Sequence, residues 1–395
     1  MKDYLFSANT PQTFWQVQED LPPALWQTAI QAALPELGLA AKDIDTAIQL
    51  SLGEGQFGPD HWHLGFAKRI YYLLKPLLPR PITRIMRKIY SDSGQANFPL
   101  GWPVEERYAA FLWACLRQLL ILNHSGTLKM VSLWPESHQA AFILTHDIET
   151  SIGQKFALRV AELEVKHGFR SSFNFVPQRY KLDQGVIAEL RNRGFEIGVH
   201  GLKHDGKLFL SQEKFNQRAE KINHHLHSLK ATGFRTPLTH RNPLWMQKLE
   251  IEYDLSFFDT DPYEPIPGGT MSLWPFQMGH FMELPYTLPQ DYTLVNILKA
   301  TTPAVWLDKV DFLKKYHAMA LLNTHPDYLR QPANWAVYES FLEEMAGRSG
   351  FWHTLPRQAA AWWRKRQTSP AGLPQSRACL ENDQIIIEPY RSEES

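Results

Sequence analysis

Residues able to do chemistry stand at the ends of apolar runs: Asp147 and Glu149 in AAFILTHDIE, His200 and His204 in FEIGVHGLKH, Arg235 in GFRTP and His325 in LLNTHPDY. Asp147 and Glu149 are two apart at a strand end, so they share one face while His146 and Ile148 take the other. Either carboxylate could bind a cation, and the other, beside that positive charge, could stay ionised as a general base. His200 and His204 are four apart, and if their segment turns helically both imidazoles lie on one face and can chelate one ion. Two nitrogens and a carboxylate oxygen make a catalytic zinc-like donor set. An arginine at Arg235 could hold a carboxylate ionised, and a histidine at His325 could give a proton to a leaving group. The bland readings are solvated strand-end carboxylates, surface or core histidines, and a surface salt bridge. What favours chemistry is that all of these residues fall at the C-terminal ends of predicted strands, where parallel α/β folds build their sites.

The elements that must position them are readable from hydrophobic rhythm. From Ser137 onward, short apolar runs alternate with amphipathic helical stretches, the pattern of βα units. AAFILTHD, SSFNFVP, FEIGVH, TGFRTP, IEYDLSFFD, HFMELPY and AMALLNTHP give about seven strands, enough for a closed or nearly closed barrel rather than an open doubly wound sheet. Residues 1–136 read as a mostly helical region, with apolar residues at three- and four-residue spacing in LPPALWQTAIQAAL and EERYAAFLWACLRQLLIL. Residues 137–367 read as the barrel. The end, 368–395, carries Pro, Ser and Gly and reads as an irregular tail.

In order and type, these motifs resemble those of the NodB-type polysaccharide deacetylases, carbohydrate esterase family 4. THDIE resembles the family's first motif, usually TFDDG, VHGLKH its two-histidine motif, GFRTP its R-x-P motif, and LLNTHP its last, histidine-bearing motif. The resemblance spans about residues 137 to 365 and implies a distorted (β/α)7 barrel holding one divalent ion, zinc first, with cobalt, nickel and manganese as other candidates. It implies Asp147 as general base, Glu149, His200 and His204 as metal ligands, Arg235 as the residue orienting Asp147, and His325 as general acid. Asp259 or Asp261 would fill the acidic position of the fourth motif, and Trp274 and Glu283 would border the substrate groove. Ile148 and Glu149 replace the second Asp of the usual pair, so Glu149 is the third ligand by resemblance, and a swap of roles with Asp147 stays open. Gly201 stands where Ser or Thr is usual. The implied activity is metal-dependent removal of N- or O-acetyl groups from a carbohydrate during glycan synthesis. Two other readings are a related hydrolase of cyclic imides or allantoin-like amides, and a noncatalytic glycan-binding barrel.

Composition narrows the partners. Lys plus Arg and Asp plus Glu balance at 41 each, so no net field draws nucleic acid. The two cysteines, Cys115 and Cys379, form no metal or redox motif, which fits a reducing compartment. Without a leading basic-then-apolar segment or a long apolar span, the expectation is a cytoplasmic protein. Residues 66–90 are basic and interleaved with apolar side chains. They read either as a packed helical hairpin, which Pro76, Pro79 and Pro81 favour, or as a peripheral contact with an anionic inner membrane face or lipid-linked glycan. Asp60, His61 and His63 could hold a second metal, although they follow no predicted strand.

Overall fold

The computed structural model describes residues 5–63, 65, 98–123 and 125–390, so the basic segment 66–90 lies outside the described residues. Helices α1 (Pro11–Trp15), α2 (Pro23–Ala33), α3 (Ile44–Leu50) and α4 (Arg107–Leu122) come first, followed by strand β1 (Thr127–Val131). In α2 the buried residues are Trp26, Ala29, Ile30 and Ala33, the three- and four-residue spacing of one helix face.

The barrel follows as β2 (Ala140–Ile148), α5 (Ser151–Lys166), β3 (Ser171–Phe175), α6 (Gln184–Asn192), β4 (Glu196–His200), α7 (Gln212–Ser228) and β5 (Gly233–Arg235). It continues through α8 (Pro243–Met246), β6 (Tyr253–Asp254), β7 (Phe276–Met278), β8 (Phe281–Glu283), α9 (Ala304–Lys315) and β9 (Met319–Thr324). Then come α10 (Pro326–Leu329), α11 (Pro332–Ala346), β10 (Phe351–His353) and α12 (Pro356–Thr368). Strands β2, β3, β4, β5, β6 and β8 pair in parallel in that order, and β9 pairs in parallel with β2. The chain past β8 returns toward β9: Phe258 bridges Tyr286, and the Thr287 and Leu288 amides both donate to the Leu321 carbonyl of β9 at 3.1 Å. This is a curled, barrel-like sheet of seven parallel strands left open between β8 and β9, built from the same seven apolar runs that the sequence marks. It is irregular because β5, β6 and β8 are short, β10 sits beside the start of β2, and β7 hangs antiparallel on β8. Strands β2, β3, β4 and β9 are buried at every position, as expected for parallel strands covered on both faces.

The C-terminal segment departs from the expected irregular tail. Strands β11 (Gln375–Glu381) and β12 (Gln384–Pro389) form an antiparallel hairpin, and β11 also pairs with β1, Thr127 opposite Cys379. The physical reason is the turn: Asn382 and Asp383 take φ of 48° and 68°, the left-handed pair that a tight two-residue hairpin needs and that these residue types tolerate.

The helices before the barrel share one apolar core with it. Phe14 of α1 meets Trp274 and Trp363 at centroid distances of 5.0 and 5.8 Å, and Trp113 of α4 stacks on Trp274 at 5.5 Å. A buried ion pair adds to this packing. Glu54 accepts from Arg241 Nε and Nη2, from Trp62 Nε1 at 2.8 Å and from the Gly269 amide at 2.9 Å.

Candidate active site

Asp147 is the last but one residue of β2 and is 2% exposed. Strand alternation turns it into the barrel together with Thr145, while His146 points outward to Glu164 (2.5 Å) and Thr324 (2.7 Å) in a buried network. Both carboxylate oxygens of Asp147 are held. Asn174 Nδ2 donates to Oδ1 at 3.0 Å, Asn323 Nδ2 donates to Oδ2 at 3.1 Å, and Arg235 Nη1 lies 3.3 Å from Oδ1. Arg235 is itself fixed, donating through Nε to the Leu255 carbonyl at 2.7 Å and through Nη1 to Thr145 and Asn323. Burial opposes the charge on Asp147, but His200, Arg235 and His325 more than offset it and hold the carboxyl below the usual carboxylate range.

One step along, Glu149 converges with His200 and His204, their ligand atoms all within 4.8 Å of one another. Glu149 Oε1 is 3.0 Å from His204 Nε2, and the two imidazole centroids are 5.1 Å apart. The segment between the histidines is not helical. Gly201 and His204 adopt φ of 60° and 52°, and this left-handed kink brings the rings together. A Cβ on Gly201 would lie 2.3 Å from Pro237 Cγ, so position 201 admits no Ser or Thr side chain. His200 Nδ1 faces the Arg235 carbonyl at 3.2 Å, which places the proton on Nδ1 and leaves Nε2 for a ligand. Burial, with the neighbouring His204, pushes the His200 imidazole down to about 4, so it is neutral near pH 7. Burial disfavours ionised Glu149, yet His204, His325 and His200 hold its carboxyl below the usual range. A neutral imidazole with a free nitrogen beside an ionised carboxylate is the protonation state that a divalent cation requires, so the donor set fits such an ion.

His325 lies at the end of β9, and its partner is Asp291: Nδ1 to Oδ1 is 2.7 Å, and the His325 amide donates to Oδ2 at 2.8 Å. Burial lowers the His325 pKa, but Asp291, with Glu149 and Asp147 beyond it, prevails and pushes the group up to about 10. His325 is therefore an imidazolium at neutral pH. Asp327, two residues on, accepts from the Glu149 amide at 3.0 Å and from the Thr150 hydroxyl. Thr150 also caps α5, accepting from the Ile152 and Gly153 amides, so Asp327 ties the strand end carrying Glu149 to the strand end carrying His325. Arg179 stands at the edge, 3.7 Å from Glu149 Oε2.

Several other expected positions have partners of their own. Asp259 pairs with Lys309 at 2.7 Å and Asp261 accepts from the Tyr263 amide at 2.8 Å; neither contacts His325, whose carboxylate partner is Asp291. Trp274 is buried against Phe14 and Trp113, with its indole N–H on the His317 carbonyl at 2.9 Å. Glu283 is fully buried and accepts from the Phe257 amide at 3.1 Å. Both side chains are buried, Trp274 at 1% exposure and Glu283 at 0%. Asp291, Asn174, Asn323 and Asp327 were missed, and only the last two carried a signal, standing inside the LLNTHPD motif. Asp60, His61 and His63 do not converge: His61 turns toward Glu54 at 3.6 Å and His63 toward exposed Asp60 at 3.5 Å.

No protein-family model matches this chain, and no curated protein matches it. Solved structures do resemble it. A candidate polysaccharide deacetylase from Mycobacterium smegmatis is 18% identical with a TM-score of 0.49, covering 62% of this chain and 96% of that one. Puue allantoinase is 15% identical with a TM-score of 0.49, covering 60% and 93%. A candidate polysaccharide deacetylase from Pseudomonas aeruginosa PAO1 is 16% identical with a TM-score of 0.47, covering 59% and 93%. The fold is defined by the chain's own strand order, and the chemistry rests on its side chains.

Proposed function

We propose that this chain is a metal-dependent hydrolase that removes acetyl groups from an N- or O-acetylated carbohydrate in glycan synthesis. The observation that carries the reading is the meeting, at one end of the barrel, of a carboxylate held on both oxygens, a Glu-His-His donor set and a charged His325–Asp291 pair.

Glu149, His200 and His204 would hold one divalent ion, zinc first. Such an ion supplies Lewis acidity to a carbonyl oxygen and increases the acidity of water. Asp147 accepts the proton of the attacking water, and Arg235, Asn174 and Asn323 keep its oxygens aimed while it does so. His325, kept protonated by Asp291, donates to the amine or alkoxide as acetate leaves. A base and an acid beside one set of metal-type donors are what acyl hydrolysis needs, and a module that only binds glycan has no use for them.

Acetate release from N-acetylated and O-acetylated oligosaccharides by zinc-loaded protein tests the proposal. Removal of metal by a chelator is expected to abolish release and zinc to restore it. Ring opening of a small cyclic imide without acetate release would transfer the same machinery to another substrate, and neither reaction from fully loaded protein would refute the hydrolase reading. The peripheral contact of residues 66–90 with an anionic membrane is part of the proposal, and failure to co-sediment with anionic vesicles would remove it. Among the described residues, no helix is long and apolar enough to cross a membrane.

A further inference from the structure

A second group of metal-type donors lies on the outer helices. His167, the C-cap of α5, meets Glu339 and Glu343 of α11, one ligand atom from each lying within 4.8 Å of the others. Glu339 and Glu343 are four apart on one helix, so their carboxylates share a face, and the imidazole comes from the neighbouring helix. His167 Nε2 is shielded from solvent and has no hydrogen-bond partner, although a buried ring nitrogen ordinarily finds one. Glu339 is engaged on both oxygens, by Lys166 Nζ at 3.2 Å and by Trp335 Nε1 at 3.1 Å. Lys166 is 61% exposed and can swing into water, which frees one oxygen while the indole keeps the other oriented. An imidazole with two carboxylates suits a borderline divalent cation of the zinc type better than magnesium or calcium.

From this geometry we infer that His167, Glu339 and Glu343 form a second, non-catalytic binding site for a divalent transition-metal ion, clamping α5 to α11. The placement gives the clamp a purpose. The opposite end of α5 begins at Thr150, held by Asp327, and α11 follows α10, which holds that aspartate. An ion joining the two helices would restrain the elements that carry Glu149 and His325, and it does so whatever reaction the barrel performs.

Zinc titration by calorimetry on the His200→Ala/His204→Ala protein, in which the barrel site is lost, tests the inference. One equivalent is expected to bind and to raise the melting temperature. Adding His167→Ala should remove that equivalent. Adding Glu343→Gln instead, at an exposed position that folding does not depend on, should weaken binding at least the ~10-fold that loss of a supporting group costs a metal site. No binding to the double variant, or an equivalent that survives His167→Ala and Glu343→Gln unchanged, overturns the inference.

Discussion

Asp147 owes its readiness as a base to neighbours that fix both of its oxygens, so Asp147→Asn changes its chemistry more than its shape. The expected outcome is a folded, zinc-loaded protein whose kcat for acetate release falls by roughly 10²–10⁴. Full activity at full zinc content would remove Asp147 from the role. His325 carries the pH dependence. Its pKa is raised from 6.5 to about 10, so the ion pair with Asp291 contributes stability fully below pH 6.5 and loses it as pH rises through about 10. Asp291→Asn removes the anion. The variant should show its greatest stability loss below pH 6.5, with the gap to wild type closing toward pH 10. Its basic limb of activity should shift to lower pH, and NMR titration of His325 together with a pH–rate profile checks both.

His200, the last residue of β4, and His204 in the loop after it come together only because the backbone enters the left-handed region at Gly201 and His204. Gly201→Ala adds a Cβ 2.3 Å from Pro237 Cγ at a φ of 60°. The left-handed penalty and the overlap together are expected to cost about 2–4 kcal/mol and to weaken zinc binding. Thermal unfolding and zinc titration report the two effects, and an unchanged zinc affinity would show that the kink does not set the ligand geometry. The same loop shows a limit of spacing arguments. Two histidines four apart suggest a helix face, yet here they converge across a non-helical turn.

Over the whole molecule, the helical N-terminal region and the barrel are joined by a continuous core and by the buried Glu54–Arg241 pair. Glu54→Ala leaves the Arg241 guanidinium buried without its main partner and is expected to destabilise the protein by roughly 3–5 kcal/mol. Chemical denaturation measures this, and a loss under about 1 kcal/mol would mean that the pair joins the regions without supporting them.

Sequence alone marked all seven barrel strands, because buried parallel strands must be short apolar runs separated by amphipathic helices. It also marked Asp147, Glu149, His200, His204, Arg235 and His325, because strand ends place such side chains at fixed positions in those runs. The hairpin at the C-terminus was legible in principle from Asn382 and Asp383, whose turn chemistry is local. Asp291 was not. It stands 34 residues before His325, outside any motif, and the pairing exists only once the chain from β8 to β9 has folded back. Trp274 and Glu283 show the same limit from the other side. Composition cannot tell an aromatic or acid that borders a groove from one that faces the core, since burial is set by the elements that pack around it. The candidate donor residues were written locally in the chain; their convergence, their protonation and the Asp291 partner of His325 were decided by the curled sheet that brings the strand ends together.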